Sequence, residues 1–172
     1  MRPQDILILL KILSMENEQW LNIDVARGLK ISQSEITESL ERSKIAKLID
    51  SEKRSVFRTA LLEFLVYGLK YVFPVLPGPM VRGIPTSHSA PPLLDYISKG
   101  SETYVWPDPE GDRRGQSIIP LYKTVPQAVK EDSKLYELLV LTDAIRVGRA
   151  REVNFAVKEL SKRLNAVIHI RE

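Results

Sequence analysis

Val25-Ala26-Arg27-Gly28-Leu29-Lys30-Ile31-Ser32-Gln33-Ser34-Glu35-Ile36-Thr37-Glu38-Ser39-Leu40, continued by Glu41-Arg42-Ser43-Lys44-Ile45-Ala46-Lys47-Leu48-Ile49, is the stretch that decides the fold. Ser32 followed three residues later by Glu35 has the spacing of a capping box, so a helix is predicted to begin there. Ile36 and Leu40 lie four residues apart and give that helix one apolar side, which Ile45 and Leu48 continue. The preceding helix is expected to start at Asn22 as its cap and to run through Ile23, Val25 and Ala26. Gly28 is its expected stop, because a residue without Cβ enters the left-handed conformation at little cost. Leu29-Lys30-Ile31 is then the turn, and the small Ala26 allows two helices to cross closely.

Working outward, Pro3 suits a first helical turn and Asp5 suits its positive end. Ile6, Leu7, Leu9, Leu10 and Leu13 follow at helical spacing. On the other side, Asp50-Ser51-Glu52-Lys53-Arg54 reads as a polar hairpin tip and Ser55-Val56-Phe57 as a short returning strand. A long helix then begins at Arg58 or Thr59, with Ala60, Leu61, Phe64, Leu65, Gly68, Leu69 and Val72 on its buried side.

Together these residues resemble the winged helix-turn-helix of MarR- and ArsR-type regulators, over about residues 4–58, and the whole chain is similar to a family of uncharacterised bacterial helix-turn-helix proteins. The resemblance implies a DNA-binding domain over residues 1–73, working in transcription control as a homodimeric repressor. Its third helix would enter a major groove. Ser32, Gln33, Ser34, Thr37 and Glu38 would face the bases, since Gln reads adenine and Ser and Thr contact bases or phosphates. Arg42, Lys44, Lys53, Arg54 and Arg58 would contact phosphates from the helix end and the wing.

The composition changes at Pro74. Pro74, Pro77, Pro79, Pro85, Pro91 and Pro92 exclude regular helix, and Val75, Leu76, Met80, Val81 and Ile84 are too apolar for a solvated linker. The expectation is an ordered, extended strap. A short helix from Leu93 to Lys99 stops at Gly100. Thr103 to Trp106 and Arg114 to Ile119 read as a β-hairpin around the turn Pro107 to Asp112. Val125 to Glu131 is a short helix. Lys134 to Val147 and Arg149 to Leu164 are longer ones separated by Gly148, and Val167 to Ile170 a strand tail. Residues 74–172 thus form an α+β region expected to serve dimerisation or sensing. Leu135, Leu138, Leu139 and Ile145 form either a dimer face or an internal one. Arg82, Thr86, His88, Tyr104, Trp106 and Arg114 are the side chains that could line a small polar pocket with aromatic walls.

Composition narrows the function classes. The chain has 172 residues, a net charge of +3 and no cysteine, which excludes disulfides, cysteine zinc sites and cysteine nucleophiles. Basic and acidic residues are nearly balanced in both halves, so phosphate binding would need a local patch. No signal peptide or membrane-length apolar run is visible, and a cytoplasmic protein is expected. Ser87-His88-Ser89 lacks a nucleophile elbow, and Gly78 and Gly111 lack phosphate-loop spacing. No enzyme activity, cofactor or metal is therefore expected. Three functions stay open: a DNA-binding regulator, a protein-interaction module docking through the acidic Glu35, Glu38 and Glu41, and a regulator gated by a ligand in residues 82–116.

Overall fold

The fold was obtained as a computed structural model, which describes residues 1–17, 19–96 and 102–168. It is α+β, with helices packed in one continuous apolar core and a small three-stranded sheet at one flank. Helix α1 (Pro3–Met15) is the centre of that core. Pro3 opens it and the Asp5 carboxylate accepts a hydrogen bond from the Arg2 N–H at 2.7 Å, satisfying an amide that the helix itself cannot. Ile6 to Leu10 are buried without exception, so α1 is enclosed on all sides rather than on one face. Burying each such side chain is worth about 1.5–3 kcal/mol.

Helices α2 (Asn22–Leu29) and α3 (Gln33–Ile45) pack against α1 and against one another. Asn22 is the first residue of α2 and not its cap; the Asp24 carboxylate reaches back to the Leu21 N–H at 3.0 Å instead. The stop of α2 also differs from expectation. Gly28 lies inside the helix, and Lys30 takes the left-handed conformation at φ 56°, with the Ile31 N–H donating to the Ala26 carbonyl at 3.0 Å. Gly28 leaves room for a neighbour: a Cβ there would come within 2.6 Å of the Lys11 Cε and make that side chain move. Lys11 crosses α2 at that point to reach Asp132, 2.7 Å away.

After α3, Lys47 turns left-handed at φ 59° and the Leu48 N–H returns to the Ser43 carbonyl. The polar tip is a tight turn held by Asp50, whose Oδ1 accepts the Arg54 and Ser55 amides at 2.6 and 3.0 Å. The expected pair of strands reduces to a single bridge between Ile49 and Val56. The long helix that follows is α4 (Arg58–Glu63), a π-helical turn (Phe64–Gly68) and α5 (Leu69–Val72).

The proline-rich stretch is ordered and extended, and it supplies a strand that its sequence concealed, β1 (Met80–Pro85). With β2 (Tyr104–Pro107) and β3 (Arg113–Ser117) it closes a three-stranded ring. The expected hairpin between β2 and β3 is not formed. They run parallel, Tyr104 beside Gln116, while β1 runs antiparallel to both. Gly83 lies where the two pairings meet, opposite Pro107 on one side and Arg113 on the other. Gly111 lets the connecting loop pass directly over it, since a Cβ on Gly111 would strike the Gly83 backbone.

Helix α6 (Val125–Val129) packs on α2, and α7 (Ser133–Val147) lies against α1 and α8 (Ala150–Arg163). Leu135, Leu138, Leu139 and Ile145 are all buried in this internal contact, so α7 does not offer them as a dimer face. Of the predicted helix Leu93–Lys99, the structure shows one 3-10 turn at Leu93–Asp95; residues 97–99 and Gly100 lie outside the described residues. Val167 and Ile168 are not in a strand, and residues 169–170 are likewise outside. No helix among the described residues is long and apolar enough to cross a membrane.

Candidate functional site

The solvent side of α3 is set by its buried side. Ile36, Ser39, Leu40 and Ser43 face inward, which leaves Gln33, Ser34, Thr37, Glu38 and Glu41 exposed. Ser32 caps the helix as the sequence predicts: its hydroxyl accepts the Glu35 N–H at 3.3 Å, and Glu35 Oε2 accepts the Ser32 N–H at 3.3 Å. Thr37 donates to the Gln33 carbonyl at 2.9 Å and accepts from Asn22 Nδ2 at 3.2 Å, so one of the expected base-contacting hydroxyls is partly engaged. A cleft of about 150 Å³ lies between this face and the 50–55 turn, lined by Asn22, Thr37, Leu40, Glu52, Lys53 and Arg54.

A contact that the sequence did not suggest closes the first turn of α3. The Tyr122 hydroxyl, from the segment before α6, donates to Glu35 Oε1 at 3.1 Å. The Ser32 hydroxyl, then Tyr122, hold the Glu35 carboxyl below its ordinary range. Burial and then Glu35 raise the Tyr122 phenol. The helix therefore begins with a fixed negative charge, and the exposed Lys123 follows Tyr122 in sequence.

The basic residues expected to hold phosphates have other work. Arg42 forks onto Asp5, with Nε 3.0 Å from Oδ2 and Nη2 2.7 Å from Oδ1, and Asp5 is fully buried. Arg54 donates to the Trp20 carbonyl at 2.7 Å and its guanidinium lies 5.3 Å over the Trp20 ring. The Trp20 indole donates back to the Arg54 carbonyl at 3.2 Å. Arg58 donates to the Leu164 carbonyl beyond α8 at 3.2 Å. Lys53 is bound to Glu41 at 2.9 Å, which joins the turn to α3. All four side chains are thus engaged within the chain, the three arginines in contacts that tie elements together and Lys53 in an exposed pair. Lys44 is half-buried with no ion-pair partner among the described residues, and Arg27 and Lys47 are exposed.

The second predicted group does not converge. Thr86 and Trp106 are buried and both donate to Asp143 Oδ2, at 3.0 and 2.6 Å. Arg146 donates to the other oxygen, Oδ1, at 2.8 Å, and to the carbonyls of Phe73 and Ile119. Asp143 is thus a buried carboxylate satisfied by three donors, and it pins the ring to α7. Nothing in its helical context marked it, since Asp143 looks like one polar residue among leucines. His88 Nε2 lies 2.8 Å from the Glu102 carbonyl, so that nitrogen carries the proton, and the ring packs edge-on to Tyr104 at 4.6 Å. Ser87 beside it is buried with a left-handed φ of 53° and no partner for its hydroxyl among the described residues. Arg82 and Arg114 point away from these residues' shared core and are exposed. The six side chains form a core network, an edge-on aromatic contact and a surface pair, not one pocket. A different cleft, about 490 Å³, opens between the end of α1, the 50–55 turn and α4, with Leu13, Trp20, Arg54 and Arg58 in its lining. No protein-family model matches the chain, and no curated protein and no solved structure matches it either.

Proposed function

We propose that the chain is a sequence-specific DNA-binding regulator whose first 73 residues act as a winged helix-turn-helix, with α3 as the reading helix. The observation that carries this is the division of α3: Ile36 and Leu40 hold one side down, and Gln33, Ser34, Thr37 and Glu38 are exposed on the other. That is the arrangement a groove-reading helix requires, because bases are read by short polar side chains near its N-terminus. Phosphate contacts fall to the accessible cations around it, Arg27, Lys44, Lys47 and Lys123, with Lys30 loosely paired to Glu131 at 3.9 Å, and not to the arginines already bonded within the chain. A repressor of this kind would work as a homodimer on half-sites about 34–36 Å apart.

The test is selection of preferred duplexes from a random pool, followed by fluorescence anisotropy against the selected and a scrambled duplex at two salt concentrations. Preference for the selected duplex, weakening with salt, supports the reading; equal and feeble binding removes it. A protein-docking module is favoured by one observation, the three carboxylates Glu35, Glu38 and Glu41 on α3 beside cations already engaged. Glu38→Lys separates the two. It tightens duplex binding if the helix meets phosphates, and leaves it unchanged if the face meets protein.

A further inference from the structure

Arg82 on β1 and Arg114 on β3 stand directly opposite one another in the antiparallel register. Both are exposed, and neither has a carboxylate partner among the described residues. The nearest acid in sequence, Asp112, lies 4.0 Å from Arg113 instead. Directly opposed side chains have Cβ atoms about 4.5–5.5 Å apart, where like charges destabilise a sheet. An anion between them turns that repulsion into two attractions. The backbone beneath is unusually confined. A Cβ on Gly83 would strike the Trp106 carbonyl and one on Gly115 the Thr103 carbonyl, while Val105 and Trp106 anchor the ring in the core. The two arginines therefore rise from a closely packed stretch of backbone, side by side on one sheet face. The next pair along the same side, Met80 and Gln116, brings no negative charge.

We propose that the Arg82–Arg114 pair binds the phosphodiester backbone of nucleic acid, as a second contact in addition to α3; this rests on the DNA-binding reading. A polyanion suits the site better than a free phosphate. The face is open and solvated, so a small anion gains little, whereas a nucleic acid also releases condensed counterions.

The experiment is anisotropy of the full chain with the selected and scrambled duplexes across a salt series, comparing wild type, R82A/R114A and R82K/R114K. The alanine pair is expected to lower the slope of log affinity against log salt by about 2 and affinity near 0.1 M salt about tenfold, with the sequence preference kept. The lysine pair retains most of the slope. Thermal melting checks folding, and relief of repulsion leaves the alanine pair at least as stable as wild type. An unchanged slope with intact specific binding overturns the site while leaving the reading of α3 in place. A reduced slope without any duplex preference keeps the site and overturns the specific regulator. No duplex binding by wild type overturns both.

Discussion

The N-terminal helices and the strand ring use arginine in opposite ways. Among residues 3–72, Arg42, Arg54 and Arg58 are engaged within the chain, the first on a buried carboxylate and the other two, still exposed, on main-chain carbonyls. In the ring, Arg82 and Arg114 are left outside, facing each other. Both regions keep cations at the surface, Arg27 and Lys47 among them in the first, but only the ring sets two arginines face to face with no carboxylate partner among the described residues. An arginine is available for recognition when the fold gives its five donors nothing to do, and that depends on acceptors far away in sequence. Asp5 is 37 residues from Arg42, and the Leu164 carbonyl is 106 from Arg58.

The contrast can be broken or sharpened by substitution. The largest effect is expected at Asp143. Asp143→Ala leaves Arg146 buried without its partner and strips Trp106 and Thr86 of their acceptor, costing about 3–5 kcal/mol in urea unfolding. Arg42→Ala strands the buried Asp5 charge and is expected to cost about 2–3 kcal/mol, with no change in the salt dependence of duplex binding. A lowered salt slope at undiminished stability would make Arg42 a phosphate anchor after all and would erase the distinction between the regions.

Asp132 gives a pH test. Burial raises its carboxyl, but the Lys11 ammonium, the Leu135 amide and the Ser14 hydroxyl more than offset this, and it is held below its ordinary value. A carboxyl depressed in the folded state adds stability that is present above the unfolded value of about 3.9 and is lost as pH falls through the folded one. Asp132→Asn should flatten the acid limb of stability measured by urea unfolding as pH falls below about 4, at a cost of about 1–2 kcal/mol at neutral pH. Ser32→Ala should cost about 1 kcal/mol through the lost cap. Lys53→Ala, at an exposed pair with Glu41, should leave the unfolding midpoint where it is.

The helices were legible where local chemistry alone forms them. Ser32 with Glu35, Pro3 with Asp5, and Gly148 between α7 and α8 each act within a few residues. The ring was not, because its logic is steric and long-range. Nothing around Met80–Pro85 announces a strand that must fit between two others, and parallel pairing of β2 and β3 comes with Gly83 and Gly111 meeting across 28 positions. The exposed face of α3 could be read from Ile36 and Leu40, since burying one side of a helix fixes the other. The engagement of Arg42, Arg54 and Arg58 could not, because each acceptor comes from another element. Tyr122 and Asp143 gave no signal, as a lone Tyr after a proline and a lone Asp in a helix are compatible with many roles.

Trp20 and Trp106, the chain's two tryptophans, sit one in each region, the first bonded to the Arg54 carbonyl and the second to Asp143. Each region thus carries its own optical label. With Trp20→Phe and Trp106→Phe made separately, emission from the remaining indole follows the unfolding of one region alone. Coincident curves would mean that the helices and the ring melt as one cooperative unit through their shared core; curves that separate would define two foldons and show which of them yields first.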